Sequence, residues 1–465
     1  MSVCSPALHS RFVGLVGPAC VVIESSALAT YEIAGAKPAV MLRPDSVEQI
    51  PEIVKLAASD KLAVVVSGGR TKLEMGLPPK RYDVALDMSA LNKIISYDPG
   101  DLTLSVEAGI PLLQLGRALA QHGQFLPLAV PFLERTTIGG IIASGVDGPL
   151  RQFYGTARDY LLGIEFVTGD GVAAKSGGRV VKNVTGYDIH KLMIGALGTL
   201  GVITRLNFKT FPLPRASRGF VARFSSAAQA CEMRNRIAAS PLTPLTLEIL
   251  SPQVTDLFAG AVPPSQFEPA PMPSNVLSSS EWAVTTGYCG NDRVLARYAA
   301  GLRQIAADCG ATGINILAED LNPAWARKRE FIPITLASSP ATTIVKLSVL
   351  PSRIKDILEA AQAAADASSV PWAALARGAG IVYFALLPPD QNEDARVRVQ
   401  KAAHAIHQAA AKLDGSSTIP WCPPSWKADL HIWGLDPRNV SQMQKVKNVF
   451  DPQNVLSPGR FVGGI

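Results

Sequence analysis

The chain has 465 residues, 48% of them apolar and 18% charged, a balance that supplies a substantial core and excludes an intrinsically disordered protein. Its net charge of +6 is spread along the sequence without a block of Lys or Arg. That suits acidic small molecules and lacks the concentrated basic stripe of a nucleic-acid groove, so no nucleic-acid partner is expected. Six cysteines (Cys4, Cys20, Cys231, Cys289, Cys309, Cys422) are scattered with no CxxC pair. They read as reduced thiols of a cytoplasmic protein, with no iron–sulfur cluster or structural zinc in this chain.

The apolar stretch Phe12 to Val16 is interrupted by Gly14 and followed by Gly17 and Pro18. It is too short for a secretory leader, and no run of about 20 apolar residues follows anywhere. Ala39 to Leu42 is a short strand-like run. Ser46 with Gln49 has capping-box spacing, ahead of a helix whose inner face is Ile50, Ile53, Val54 and Ala57. Leu62 to Val66 is an apolar run ending in three valines, the pattern of a strand buried on both faces. Leu102 to Ala108 alternates with period two, which predicts a half-exposed strand. Pro111 opens the next helix and Gly123 follows its end.

Further on, Ile164 to Val167 and Val202 to Phe208 read as strands, and Asp170-Gly171 as a hairpin turn. Pro212 and Pro214 punctuate the chain and mark a boundary. The organisation expected is a lead-in over 1–34, one domain over 35–214, a second over 215–415, and a terminal segment, 416–465, that returns to the first. The second domain carries a Pro/Ser-rich insertion near Val262 to Ser280 and Ala-rich helices near 352–367 and 395–413. A helix is expected over Val440 to Val449.

Three glycine clusters carry the chemistry. Ser67-Gly68-Gly69-Arg70-Thr71-Lys72 leaves a buried strand, and glycines there allow the positive φ that turns successive N–H groups toward one anion. Pyrophosphate is the natural occupant, and a plain strand-to-loop turn is the alternative. Small residues at 139, 140, 143, 144, 145 and 148 admit either a flat ligand or close packing of two elements. Gly195-Ala-Leu-Gly198-Thr-Leu-Gly201 has the wrong spacing for a dinucleotide phosphate turn, which disfavours a nicotinamide cofactor.

The order of Ser67-Gly-Gly-Arg-Thr, Asp87 to Asn92, Asp101 to Gly109, Thr137-Ile-Gly-Gly140 and Gly198 to Thr204 resembles the FAD-binding domain of the vanillyl-alcohol oxidase/PCMH-type flavoproteins. More narrowly, Gly177-Gly-Arg-Val-Val-Lys182-Asn183-Val-Thr-Gly186-Tyr187-Asp188 and the ending Phe450-Asp-Pro…Pro458-Gly-Arg460 resemble the FAD-binding E subunits of bacterial glycolate oxidase (glycolate dehydrogenase). The resemblance implies an α+β fold: a PCMH-type FAD-binding domain of two α+β subdomains plus an α+β cap domain. It places pyrophosphate on the amides of Gly68, Gly69, Arg70 and Thr71, with Lys72 beside them. Thr137, Ile138, Gly139, Gly140, Ser144 and Gly145 would meet the ribityl chain and flavin, Val202 and Ile203 the adenine side, and Arg460 would return to the flavin domain.

Two departures from the family pattern matter. Residues 67–73 hold no His, so non-covalent FAD is expected where some relatives tether it. None of the six histidines (His9, His122, His190, His404, His407, His431) sits in the metal motif of the family's catalytic subunits, so no metal site is assigned. Oxidation of an alcohol also needs a base and cations for a carboxylate. His431, in a Trp-rich segment able to fold over the flavin, is the candidate base, and Arg329, in the run Arg327-Lys328-Arg329, the candidate carboxylate partner. The competing readings are a surface or core histidine and a solvated helix face. His190 reads as structural, on a helix with Ile189, Leu192 and Met193 buried, and His404 with His407 lacks a third metal ligand.

The function this implies is oxidation of glycolate or another small 2-hydroxy acid, with electrons leaving through FAD to a second flavoprotein subunit and an iron–sulfur subunit. The site would be cytoplasmic, with room for a peripheral association at the inner face of a membrane through that complex. A stand-alone FAD-dependent alcohol or sugar oxidase, and a non-catalytic assembly subunit that holds FAD, are the alternatives.

Overall fold

The computed structural model describes residues 4–179, 186–260, 276–317, 328–436 and 438–465. Lys182, Asn183 and Arg327, and most of the Pro/Ser-rich insertion, lie outside the described residues. Among those described, no helix is long and apolar enough to cross a membrane.

The first sheet contains β1 (Val21–Val22), β2 (Val40–Leu42), β3 (Val64–Ser67) and β4 (Val84–Asp87), in the order β1-β2-β4-β3. β2, β4 and β3 are parallel, and the helix Gln49–Ser59 makes the crossover from β2 to β3. Ile50, Ile53, Val54 and Ala57 of that helix are buried against the sheet, as their spacing predicts. The helix starts later than expected: Gln49 Oε1 accepts from the Asp45 and Ser46 amides at 3.1 and 3.3 Å, and Glu48 occupies the cap position. β3 would be an edge strand, yet its free side is covered. Val64 N donates to Val455 O and Ser457 N to Val64 O, both at 2.8 Å, so the chain's last residues extend the sheet.

The second sheet is antiparallel. It is built from β5 (Ile94–Asp98), β6 (Thr103–Glu107), β8 (Leu161–Val167), β9 (Ala173–Gly177) and β10 (Val202–Lys209), while β7 (Gln124–Phe125) pairs with β11 (Phe211–Pro212). The order is β5-β6-β10-β8-β9. Gly171, with φ of +79°, makes the turn between β8 and β9 where the Asp-Gly signal placed it. β6 corrects the half-exposed expectation, because all five of its residues are buried. It lies between β5 and β10, and its polar positions are matched inside: Ser105 bonds Asn207, and Glu107 Oε2 accepts from Lys93 N at 2.8 Å. Period-two alternation reported two faces, and both are covered.

The third sheet holds β12 (Ser217–Phe224), β13 (Thr246–Leu250), β14 (Trp282–Cys289), β15 (Gly313–Leu317), β16 (Thr343–Ser348), β17 (Trp372–Arg377), β18 (Ile381–Leu386) and β19 (Ser416–Trp421). All of its pairings are antiparallel, in the order β15-β12-β14-β13-β17-β18-β16-β19. One face carries the helices Ala227–Ala239, Asp292–Asp308, Ile354–Ala367 and Glu393–Lys412 over a large core. The other face turns Leu250, Leu375, Tyr383 and Trp421 into a core shared with Ile138, Ile141 and Ile142 of the first part of the chain. The chain is α+β, and the eight-stranded sheet caps the second sheet, with which it shares that core.

Candidate cofactor site

β3 ends at Ser67, and the chain then enters a tight loop at the mouth of a cavity that, with the solvent it opens onto, spans about 760 Å³ of atom-free space. A Cβ built on Gly68 would collide with Thr137 Oγ1, and one on Gly69 with the Arg135 carbonyl. Arg70 follows at φ of +56°, in the left-handed region, so the backbone reverses there. Its guanidinium stands 4.5 Å over the Tyr31 ring and 3.5 Å from Asp87, which leaves chiefly its backbone for the cavity. The loop therefore lies flat on residues 135–137 with its amides available, the arrangement of an anion nest.

The opposite wall is the short helix Ile138–Ser144, capped by Thr137, whose Oγ1 accepts from Gly140 N at 3.3 Å. The small residues here serve both purposes that the sequence left open. Gly139 and Gly145 are needed for packing, since added Cβ atoms would reach the Ala108 carbonyl at 2.9 Å and the Gly195 Cα at 3.0 Å. Gly198 is different. It lines the cavity at φ of +73°, and a Cβ there would meet nothing nearer than 3.5 Å.

The cavity brings together Gly68, Gly69, Arg70, Thr71, Lys72, Thr137, Gly139, Gly140, Ser144, Ile203 and Arg460. Ile138, Gly145 and Val202 are not on its wall; Ile138 and Val202 face the cores behind it. Two polar atoms at the wall are buried without a partner: Ser67 Oγ and Arg460 Nε. Such orphans cost about 1–3 kcal/mol each unless a ligand supplies the missing bond. A glycine-floored slot with available amides, orphaned polar atoms and apolar sides at Ala108, Leu197 and Ile203 fits a large flat cofactor bearing a diphosphate.

The end of the chain locks this site from behind. Arg460 bonds the carbonyls of Leu73 and Met75, the latter at 2.6 Å, and its own carbonyl accepts from Leu77 N at 3.0 Å. Burial pulls its guanidinium down to about 10, against the pull of Tyr82 and Glu74. Lys427 is buried and reaches Glu74, with its ammonium 3.1 Å from the carboxylate. Lys447 and Asp451 join the Gly195–Gly201 turn to the tail. Lys427 and Lys447 escaped sequence reasoning, and Asp451 was noted only within the Phe450-Asp-Pro ending; the i, i+4 spacing of Lys447 and Asp451 reads by default as a solvated pair.

His431 is elsewhere. It is exposed and shares a separate surface concavity with His404 and His407, with ring centres 5.9 and 6.4 Å from its own. The Trp-rich segment does approach the cofactor loop, but through Lys427 and Trp433, whose ring would lie 3.5 Å from a Cβ on Gly76. Among the described residues no group of three His, Cys, Asp or Glu side chains is arranged to hold a metal ion. His190 is buried within a single helical turn, Ile189–Leu192, with Nδ1 3.1 Å from Ser176 Oγ; Leu192 points outward, the reverse of the expected face.

Arg329 does not line the cavity either. It pairs with Glu330 at 2.9 Å, and Glu330 accepts from the Phe132 and Leu133 amides at 2.8 and 3.4 Å where the cap meets the cofactor domain. Two further ion clusters lie under the cap. Lys328 meets Glu248 at 2.8 Å, and Asp147 is held between Arg377 and Arg151. Burial opposes ionisation of Asp147, but Arg377, Lys346 and Arg151 outweigh it and hold its carboxyl below the usual range.

A fold of this kind, with a glycine-floored slot under a sheet cap, suits a flavoprotein oxidoreductase, and the family models show that class. The model of an FAD binding domain matches residues 38–177, and that of the C-terminal domain of FAD linked oxidases matches 213–461, more than half of the chain. The chain belongs to the FAD-linked oxidases, and FAD is its cofactor.

Among curated relatives, glycolate oxidase subunit GlcD of Bacillus subtilis is 26% identical over 91% of this chain and 89% of its own length. Glycolate oxidase subunit GlcE of Escherichia coli is 40% identical over 179 residues, 38% of this chain and 51% of its own length. The mitochondrial D-lactate dehydrogenase [cytochrome] of Arabidopsis thaliana is 24% identical over 91% of this chain and 73% of its own length. Among solved structures, p-cresol methylhydroxylase with substrate bound superposes with a TM-score of 0.78 at 18% identity, covering 97% of this chain and 95% of its own. Alkyldihydroxyacetonephosphate synthase gives 0.76 at 19% identity over 99% and 87%. These two show the fold, a PCMH-type FAD-binding architecture. The chain is thus an FAD-linked oxidoreductase related to glycolate oxidase subunits and to dehydrogenases of 2-hydroxy acids.

Proposed function

We propose that this chain is the FAD-holding subunit of a complex that oxidises a small 2-hydroxy acid, with glycolate as substrate and glyoxylate as product. Electrons would leave through the flavin to a second flavoprotein and an iron–sulfur subunit, in the cytoplasm or at the inner face of a membrane. The observation that carries this reading is the 40% identity to a glycolate oxidase subunit over 179 residues. The ion clusters under the cap support the dependence on partner subunits: Arg377, Arg151, Lys328 and Arg329 each already have a carboxylate partner, so a substrate acid would have to displace one.

In this reading the Gly68–Thr71 amides hold the diphosphate, Thr137, Gly140 and Ser144 flank the ribityl chain and ring, and Ile203 lies toward the adenine. Bound FAD supplies two-electron redox chemistry that no side chain has. Ala108, Leu197 and Ile203 exclude water from the slot, and Ser67 Oγ and Arg460 Nε gain the partners they lack. Among the described residues the cavity wall bears no imidazole, thiol or phenol to form a tether, which supports non-covalent binding.

A second reading, a stand-alone dehydrogenase of an alcohol or 2-hydroxy acid, is favoured by the match along nearly the whole chain to D-lactate dehydrogenases. Anaerobic titration of the purified yellow protein separates the two. The proposal expects glycolate to leave the flavin oxidised until the partner subunits are added. Bleaching by glycolate or D-lactate in the isolated chain selects the stand-alone enzyme. No bleaching even in the assembled complex leaves only an assembly role.

A further inference from the structure

Lys72 closes the cofactor loop and lines the cavity. Its ammonium donates to Thr136 Oγ1 at 2.7 Å and Thr71 Oγ1 at 3.1 Å, and stands 5.7 Å from the centre of the Phe132 ring. Among the described residues no carboxylate forms an ion pair with it. Burial draws it down to about 7, opposed only by the distant pull of Glu330, which is itself bound by Arg329 and two backbone amides. A cation enclosed without a counter-charge is costly, and an anion that arrives with the ligand removes that cost.

FAD offers two anions, the diphosphate and the reduced ring. The diphosphate already has the backbone turn Gly68–Thr71. Lys72 instead reaches Thr136, next to the helix cap at Thr137, and the Phe132 ring, whose other neighbour is Trp421 of the cap sheet at 6.4 Å. That is the cap side of the cavity.

We propose that the Lys72 ammonium stabilises the negative charge on the reduced flavin ring and so raises its reduction potential. This rests on the placement of the ring beside Thr137, Gly140 and Ser144 given above. The charge balance is simple. A 2-hydroxy acid loses two electrons and two protons in becoming the 2-oxo acid. The neutral oxidised ring gains both electrons and one proton, and the other proton passes to solvent, so the ring becomes singly negative. A protonated Lys72 at that point favours reduction, one of the few levers a protein has over a flavin.

The test uses the FAD-loaded protein and two readouts independent of turnover. The first is the dissociation constant of the sulfite adduct, which places the same negative charge on the ring. The second is the midpoint potential, read against a reference dye. Lys72→Met should weaken sulfite binding about tenfold and lower the potential by about 30 mV, the same factor for a two-electron couple. Lys72→Arg should restore most of both, and FAD affinity should change by less than about threefold. If Lys72→Met does not fold, Lys72→Gln carries the same expectations. Unchanged sulfite affinity and potential overturn the proposal. If FAD affinity falls while the potential holds, Lys72 serves the diphosphate, and the proposal fails while the cofactor stands. Colourless wild-type protein would remove the cofactor and the proposal together.

Discussion

The ammonium of Lys447 lies 2.6 Å from the carboxylate of Asp451, one helical turn further on, and both side chains are buried. The same ammonium donates to the carbonyls of Thr199 and Leu456 at 2.8 Å, while the Asp451 carboxylate accepts from Val455 N at 2.9 Å and Leu456 N at 2.7 Å. Through these two residues the chain's end is fastened to the glycine turn that walls the cofactor cavity. Removing either partner leaves a buried charge, so Lys447→Met or Asp451→Ala should cost about 3–5 kcal/mol. Urea melts would show it. Flavin content should fall in parallel, because the turn at 198–201 loses its anchor.

Gly69 has no room for a side chain, since a Cβ would meet the Arg135 carbonyl. Gly69→Ala should lose about 1–3 kcal/mol from overpacking and most of the bound FAD, read as the ratio of visible to ultraviolet absorbance. Gly116, inside the helix Leu112–Ala120, is the matched control, with nothing within 4 Å of its Cβ position. Gly116→Ala should raise stability by about 0.5–1 kcal/mol and leave the flavin content unchanged.

Burial pushes the His407 imidazole down from 6.5 to about 4, with the charges of His431 and His404 acting the same way and a bond to the His431 backbone opposing them. Between those two values the unfolded chain binds more protons than the folded one, so stability falls as pH drops from 6.5 toward 4. Melting temperatures measured across that range should decline in the wild type. His407→Gln should decline less, and equal slopes in the two proteins would refute this account.

Asp147 joins the cofactor domain to the cap through Arg377, and pairs with Arg151 of its own domain. Asp147→Asn keeps the shape and removes the charge, leaving Arg377 buried without its counter-ion. A loss of about 3–5 kcal/mol is expected. Arg377→Leu combined with Asp147→Leu should recover much of that loss, as replacement of a buried pair by apolar residues often does. Denaturant midpoints for the three proteins decide it.

Much of the fold was legible because the signals are local. Ile50, Ile53, Val54 and Ala57 face one way on any helix, and Asp170-Gly171 makes a tight turn wherever two strands flank it. What misled was burial contributed from a distance. β6 looked half-exposed because its alternation is real, yet Asn207, about 100 residues on, satisfies Ser105. His431 looked poised because it sits among tryptophans, but the chain turns it to the surface and sends Lys427 to the cofactor loop instead.

By itself the sequence left each glycine cluster open between a ligand and packing, and the class of protein and its cofactor came from the resemblance of their order to the PCMH-type flavoproteins. Backbone that must turn through positive φ or lie against other backbone demands small residues, and their order along the chain is a one-dimensional record of that demand. The tertiary structure alone decided which glycines serve packing, as Gly139 does, and which leave the slot open, as Gly198 does. It also decided that Arg460, Lys447 and Lys427 secure a loop more than 350 positions away from two of them, and a turn about 250 positions from the third. Those are relations in space between charges and carbonyls, and their strength depends on burial that no local pattern encodes.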